Sequence, residues 1–390
     1  MKALILAAGR GTRVQPLTRS TPKPMLPVLN KPVMESLIEL LREHGVSEIV
    51  INTSYLSNEI ESYFRDGARF GVEIAYSFEG ALRDGRLHDE PLGSCGAIRR
   101  IQNHSGFFDE TFFVLCGDAL IDLDLSRMAA EHRRRQAVAS IALTEVPREE
   151  VSSYGVVVTD ADGWIRDFQE KPSVEQARSN LVNTGIYLFE PEVLNWIPQT
   201  FPYDLGSQLF PALVAAGQRF LGLRIPLEWL DIGRTTDYYK VVQKALQGGV
   251  PRVQPHGRQV APGVWVGANT RVDLNQHTIV PPVMIGGSCA IGPGACIVGP
   301  TLIDSGCVIE SGAEVIRSLI FQYTRVGARA HVKDAIACGR YCVTADGTVL
   351  DIPDVDLAWV LSDSRAPLQE QPQQIREMLE FIAELENPRV

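Results

Sequence analysis

Between Leu6 and Pro27 the chain places Gly9, Gly11, Thr12, Arg13 and Lys23 at spacings that suit a polyphosphate. Gly9 and Gly11 let the backbone turn left-handed or pass close to a ligand, so successive amides around Gly9 to Thr12 are free to point at phosphate oxygens. Leu6 and Ala8 lead into that loop, and Arg13 and Lys23 add positive charge. Lys23 stands between Pro22 and Pro24, whose fixed φ angles restrict where its ammonium starts. The loop has no third glycine for a dinucleotide fingerprint and no Gly-Lys-Ser/Thr for a Walker loop. Two acids follow at a distance. Asp118 comes after the apolar run ending at Cys116, and Asp231 comes after Trp229 and Leu230. An acid at the carboxyl end of a central strand sits where open α/β sheets bind ligands, although a helix cap or a turn is the competing reading. Asp122 and Asp124 read as turn or solvent-facing residues.

The elements that must hold these groups are legible as alternation. Lys2 to Ala7 is apolar throughout, as expected for a strand buried on both faces of a parallel sheet. Glu48 to Asn52, Val72 to Ser77 and Thr111 to Cys116 read as further strands, separated by amphipathic helices such as Val33 to His44, which starts after Pro32 and ends at Gly45. This is an α/β pattern with a mainly parallel, Rossmann-like sheet, assigned to residues 1–247. The Gly- and Pro-rich run over 248–262 reads as a linker.

Beyond it a period of six appears. Ile285, Ile291, Ile297, Ile303, Ile309 and Val315 fall at equal steps, flanked by Val266, Val272, Val326 and Val332. Four residues after each of the first five comes Cys289, Ala295, Thr301, Cys307 or Ala313. One inward aliphatic and one small residue per side is the pattern of a parallel β-helix with coils of about 18 residues. That domain is placed at 263–345. The tail over 346–390 ends in an amphipathic helix from about Leu368 to Glu386, suited to covering the last coil or a neighbouring subunit.

Composition narrows the partners. A formal charge of −10 over 390 residues argues against nucleic acid and against anionic membrane surfaces. No apolar run approaches the roughly 20 residues of a membrane helix, and the N-terminus lacks the pattern of a secretory signal, so a cytoplasmic location is expected. Seven scattered cysteines without Cys-x-x-Cys spacing read as reduced thiols, with Cys289 and Cys307 as small core residues.

The run Leu6 to Arg13 followed by Pro22-Lys23-Pro24 resembles the signature of the nucleotidyltransferases that make nucleotide sugars. The resemblance extends over nearly the whole chain, through CGDALIDLDL, VSSYGVVV, QEKPS, NTGIYLFEPE, GSQLFP and the six-residue repeats, and is strongest to the cyanobacterial-type UTP–glucose-1-phosphate uridylyltransferases. It implies a left-handed hand for the β-helix. It also implies that Asp118 and Asp231 hold one Mg²⁺, with Arg13, Lys23 and Asp118 catalytic. Tyr154, Gly155, Glu170, Lys171, Asn183 and Gly185 match the segments that bind the sugar phosphate: Glu170 and Asn183 on hydroxyls, Lys171 on phosphate, and the two glycine backbones close to the sugar. A carboxylate accepts from vicinal hydroxyls, an amide both gives and takes, and a lysine is a point charge, so the residue types agree. On the base side, Leu92-Gly93-Ser94-Cys95-Gly96 replaces the Leu-Gly-Thr-Ala-Gly of many relatives, which leaves backbone contacts from Leu92 and Gly93 as the expectation. Glu79 is either a base or ribose contact or a solvent-facing turn residue.

The implied substrates are UTP and a sugar 1-phosphate. Guanylyl transfer to mannose 1-phosphate and thymidylyl transfer to glucose 1-phosphate are the neighbouring alternatives, and a catalytically silent sugar-nucleotide sensor is the alternative of another class. An acyltransferase in the β-helix would need a histidine base, for which only His331 is placed. Self-association through the β-helix or the tail is expected.

Overall fold

The computed structural model describes residues 1–367, so the helix expected over 368–386 lies outside the described residues. By compactness the chain divides into two units: Met1–Pro27 with Lys31–Gly233, and Val28–Asn30 with the residues from Arg234 onward.

The first unit is built on a nine-stranded sheet. Its main order is Ile165–Glu170, Gly155–Thr159, Leu181–Phe189, Phe112–Cys116, Lys2–Leu6, Glu48–Thr53 and Glu73–Phe78. Ala139–Glu145 also pairs with Leu181–Phe189 and carries Phe220–Leu223 outside it. From Phe112–Cys116 to Glu73–Phe78 all neighbours are parallel, because helices such as Val33–Glu43 and Ser57–Phe64 carry the chain back between them. Past Phe112–Cys116 the order turns antiparallel, since strands such as Gly155–Thr159 and Ile165–Glu170 are joined by a tight turn through Asp160 and Gly163.

Lys2–Leu6 shows why its sequence is apolar throughout. Ala3 and Ile5 enter the core on one face, with Leu37, Ile38 and Leu41 of Val33–Glu43, while Leu4 enters the core on the other, with Ile98 and Phe112. Each fully buried aliphatic of this kind contributes about 1.5–3 kcal/mol. The rigid strand is thereby a base from which the following loop projects. A separate two-stranded ribbon pairs Ala119–Leu123 with Leu227–Asp231.

In the second unit the helix Thr235–Leu246 buries Tyr238, whose ring lies 6.1 Å from that of Phe321. This is why the compact division falls before the helix, at Gly233, although the sequence break lies near 247. Within 248–262, Arg258–Ala261 already forms a strand antiparallel to Val264–Val266. Three parallel sheets then stack: Val283–Ile285 on Thr301–Ile303, Cys296–Val298 on Glu314–Ile316, and Ala290–Ile291 on Val308–Ile309, each eighteen residues apart. The next step is seventeen, as Leu302 pairs with Leu319 and Glu314 with His331. This is the parallel β-helix that the six-residue period predicts. Ile297, Ile303, Ile309 and Val315 fill its core, with Cys289, Ala295, Cys307 and Ala313 as the small partners. Antiparallel strands Tyr341–Thr344, Val349–Asp351 and Leu361–Asp363 close the described end. Among the described residues no helix is long and apolar enough to cross a membrane.

Candidate active site

The loop after Lys2–Leu6 closes on itself at Gly11. Its φ of 60° is left-handed, and its carbonyl accepts from the Val14 amide at 3.0 Å and the Thr18 hydroxyl at 2.8 Å. A Cβ at Gly11 would stand 3.0 Å from Lys23 Cβ and 3.1 Å from Thr18 Cγ2, so the glycine also admits the lysine stem beneath the loop. The turn Lys23–Met25, fixed by Pro24, then holds Lys23 at 7 % exposure. A buried ammonium needs compensation. Lys23 Nζ donates to Asp118 Oδ2 and lies 3.9 Å from Asp231 Oδ1.

The two acids come together through the ribbon. Asp118 immediately precedes Ala119, and Ala119 is the register partner of Asp231. Gly117 makes the preceding bend, its amide donating to Leu6 carbonyl at 2.9 Å, which ties the acid to the end of the glycine-loop strand. One cavity of about 280 Å³ results, lined by Leu6, Gly9, Gly11, Thr12, Arg13, Lys23 and Asp118, together with Cys116, Pro24 and Gly233. Gly9, Thr12 and Arg13 are exposed at its mouth. Ala8 is half-buried in the same loop. Burial pushes the Cys116 thiol up to about 12, so the floor of the cavity carries a neutral sulfur.

Two carboxylates that face one ammonium form a donor set for a hard divalent cation, with the remaining positions left to phosphate oxygens and water. Among the described residues no group of three or more His, Cys, Asp or Glu forms a closed protein cage.

In the segment that the resemblance matches to the base, Glu79 is buried, and this overturns the solvent-facing alternative. Its Oε2 accepts from the Leu92 amide at 3.3 Å. Burial raises the Glu79 carboxyl above its ordinary value, against the pull of the Leu92 amide, Asn52 and Arg100. Leu92 carbonyl accepts from the Tyr203 amide at 2.9 Å, so both backbone groups of Leu92 already have protein partners. Gly93, with φ 76°, passes so close to Tyr203 that a Cβ would lie 2.6 Å from its carbonyl oxygen. The Ser94 hydroxyl donates to Asp204 Oδ1, and Cys95 is core, which accounts physically for the Ser-Cys pair in this segment.

Among the residues that the resemblance matches to the sugar phosphate, Asn183 is held at both ends. Its Oδ1 accepts from the Gly185 amide and its Nδ2 donates to the Tyr187 hydroxyl, both at 2.9 Å. Gly185, with φ 77°, lies against Cys116, since a Cβ there would stand 2.9 Å from Sγ. The turn at Gly185 is thus physically joined to the cavity floor. Glu170 pairs across the strands with Gly155, and Tyr154 accepts from the Lys171 amide through its carbonyl at 3.1 Å while its ring lies 5.1 Å from Trp229. Lys171 adopts φ 45° before Pro172, a conformation that costs a non-glycine residue about 1–3 kcal/mol, and its ammonium lies 3.4 Å from Glu170 Oε1. Sequence reasoning did not identify Cys116, Tyr187, Tyr203 or Asp204 as parts of these walls. Only the short Gly-Ser-Gln-Leu-Phe-Pro resemblance pointed near the last two. Asp124 proves to be a helix cap, accepting from the Arg127 amide at 2.8 Å. His331 stands on the outer β-helix face, its Nδ1 3.0 Å from Glu314 Oε2.

Comparison with known proteins agrees with this architecture. The chain is 51% identical over 365 residues to a UTP–glucose-1-phosphate uridylyltransferase of Synechocystis, an alignment covering 94% of each chain. It is 35% identical over 292 residues, 74% of each chain, to a mannose-1-phosphate guanylyltransferase catalytic subunit beta of Xenopus tropicalis. A crystal structure of a UDP-glucose pyrophosphorylase complexed with UDP-glucose superposes with a TM-score of 0.54 at 24% identity, covering 63% of this chain and 98% of that one, and establishes the shared fold. The sequence model of the nucleotidyl transferase family matches residues 2–248. The chain belongs to the nucleotidyl transferase family.

Proposed function

We propose that this protein transfers a uridylyl group from UTP to glucose 1-phosphate, giving UDP-glucose and pyrophosphate. The observation that carries the reading is that Lys23, which lines the glycine-loop cavity with Asp118, pairs with Asp118 and lies 3.9 Å from Asp231 Oδ1. The substrate pair is supported by the near full-length similarity to the Synechocystis uridylyltransferase. A phosphate oxygen of the sugar attacks the α-phosphorus, and the bond from that phosphorus to the bridging oxygen of the departing pyrophosphate breaks. No side chain need act as nucleophile. The protein aligns two polyanions that repel each other and neutralises their charge.

In this reading the amides of Gly9 to Thr12 and the Arg13 guanidinium hold the triphosphate, and Lys23 meets the α-phosphate from below. At an effective dielectric of about 20, unit charges about 4 Å apart interact by roughly 4 kcal/mol, so each cation at the reacting phosphate is worth orders of magnitude in rate. Mg²⁺ held by Asp118 and Asp231 would supply further charge neutralisation at the phosphates. Glu79, Leu92 and Gly93 form the wall on the base side. Tyr154, Gly155, Glu170, Lys171, Asn183 and Gly185 form the wall that receives the sugar phosphate. The seven cysteines, all free thiols, suit a reducing cytoplasm. Self-association through the β-helix or the tail completes the proposal.

The test is pyrophosphate release with Mg²⁺ across UTP, dTTP, GTP, CTP and ATP, each against glucose 1-phosphate and mannose 1-phosphate. UTP with glucose 1-phosphate should dominate. GTP with mannose 1-phosphate would keep the mechanism and replace the substrates, and silence in every pair from folded protein would sink the enzymatic reading.

A further inference from the structure

One short segment touches both halves of the site. At its beginning, Tyr203 carbonyl accepts from the amides of Cys95 at 2.9 Å and Gly96 at 3.2 Å, while the Tyr203 amide donates to Leu92 carbonyl at 2.9 Å. Asp204 Oδ1 accepts from the Ser94 amide at 3.0 Å and the Ser94 hydroxyl at 3.2 Å, and the Leu205 amide donates back to Ser94 Oγ at 2.8 Å. The first three amides of the Ser94–Ser105 helix are therefore capped by residues about a hundred positions later. Two residues further on, the same segment reaches Glu170. A Cβ at Gly206 would overlap Glu170 Oε2 and stand 3.0 Å from Cδ, and one at Gly155 would stand 3.2 Å from the same oxygen. The carboxylate is thus seated between two positions that lack side chains.

The segment is not free to yield. Leu205–Leu209 is a π-helical turn, a geometry that recurs at functional sites, and it leads into Phe210–Ala215. The Phe210 ring lies 5.1 Å from that of Phe168 and 5.3 Å from that of Tyr187, which locks the turn onto the strands that carry Glu170 and Asn183. Gly206 has no positive φ to explain it. The explanation on hand is the space that Glu170 occupies.

We propose that Gly206 is a positioning residue for the sugar 1-phosphate: acting through Glu170, it fixes where that carboxylate stands, and Tyr203–Gly206 references this position to the base-side segment Leu92–Gly96. This rests on the reading of Glu170 as a sugar contact. The consequence is selective. An added methyl should push the carboxylate off its place without altering the glycine loop, Lys23 or the two aspartates.

The experiment compares wild type, Gly206→Ala, Glu170→Asp and the double variant, each assayed for KM of glucose 1-phosphate, KM of UTP, kcat and Tm. Gly206→Ala should raise KM for glucose 1-phosphate by about tenfold while KM for UTP moves by less than about twofold. Because Glu170→Asp withdraws the carboxylate by one methylene, the double variant should return to the KM and Tm of Glu170→Asp alone, a non-additivity that a general packing defect does not produce. Equal rises in both KM values, or additive losses in the double variant, would overturn the proposal. If Gly206→Ala does not fold, recovery of a wild-type-like Tm in the double variant supports the steric contact and an unfolded double variant refutes it. Failure of the underlying reading looks different: Glu170→Asp alone would leave the KM for glucose 1-phosphate unchanged.

Discussion

Lys23 Nζ donates to Asp118 and lies 3.9 Å from Asp231 Oδ1, so one buried cation stands between the two acids. Without it, two carboxylates share a pocket beside a strand end, and like charges at such separation repel. Lys23→Met should therefore make stability depend on divalent cation. The variant's Tm in chelator should fall below that of wild type and rise on adding Mg²⁺, by as much as about 2.7 kcal/mol of stabilisation at metal 100 times its Kd. Thermal unfolding with and without Mg²⁺ checks this, and a variant whose Tm ignores the metal would contradict the shared site.

Arg13 and Asp118 carry charge at the cavity and contribute little to the core, being exposed and half-buried respectively. Arg13→Ala should keep a wild-type-like Tm, whereas Asp118→Ala should lower it by leaving the buried Lys23 ammonium with Asp231 alone, and each should lose turnover by about 10²–10³ or more, the scale of removing one preorganised electrostatic contact. Pyrophosphate release alongside unfolding curves tests the pair. Near-normal rates in either variant would remove that residue from the mechanism.

How much of this was readable depends on distance along the chain. Gly11 and Lys23 were legible because their constraints are local: a left-handed turn with a close approach, and two flanking prolines; Gly9 has neither a positive φ nor a neighbour that an added Cβ would meet. Ile285 to Val315 were legible because a solenoid repeats one coil, so periodicity reports the fold directly. The role of Asp231 depends on a ribbon register with Ala119, and that of Tyr203 on contacts with Leu92 to Gly96, pairings that no spacing encodes. Glu79 shows the same limit. Whether a glutamate at a strand end is solvated or buried is decided by the segment that folds over it, here Leu92.

His132 is fully buried in the first unit, its Nδ1 2.7 Å from Ser140 Oγ and its Nε2 3.1 Å from Glu190 Oε1. Burial lowers its pKa below the ordinary 6.5, against the opposing pull of Glu190. The unfolded chain then binds a proton more readily than the folded one, so stability is fully present above the unfolded value and is lost as pH falls through the folded one. Between about pH 7 and pH 5 the wild type should lose Tm, and His132→Asn should show a shallower loss over that window. Parallel slopes would show that other groups govern the acid limb.

In the β-helix, Ile303 is fully buried among Ile285, Ile297, Ile309 and Ile320. Ile303→Ala should destabilise by about 2–5 kcal/mol, because stacked coils leave little room to collapse into the cavity. The effect belongs to stability, read by denaturant unfolding, and KM values of the surviving folded enzyme should stay as in wild type. A change in KM for UTP at unchanged stability would assign the β-helix a direct part in substrate binding.

Tyr187 holds the amino end of the Asn183 amide, whose orientation the Gly185 amide fixes because a backbone N–H can only donate. Asn183 Oδ1 is committed to the Gly185 amide and Nδ2 gives one proton to the Tyr187 hydroxyl, leaving the second Nδ2 proton as the donor for a ligand. Burial raises the Tyr187 phenol well above its ordinary value, so at neutral pH it is always the neutral hydroxyl that this bond requires. Tyr187→Phe keeps the ring that stacks near Phe189 and Phe210 and removes only the oxygen. Losing one neutral hydrogen bond is worth about 0.5–1.5 kcal/mol, so KM for glucose 1-phosphate should rise about two- to tenfold while KM for UTP holds. Discrimination between glucose 1-phosphate and mannose 1-phosphate should narrow as well, since Asn183 keeps its Oδ1 on the Gly185 amide but loses the bond that aims its amino group. A Tm loss with both KM values and the epimer ratio intact would show that the hydroxyl serves the core alone.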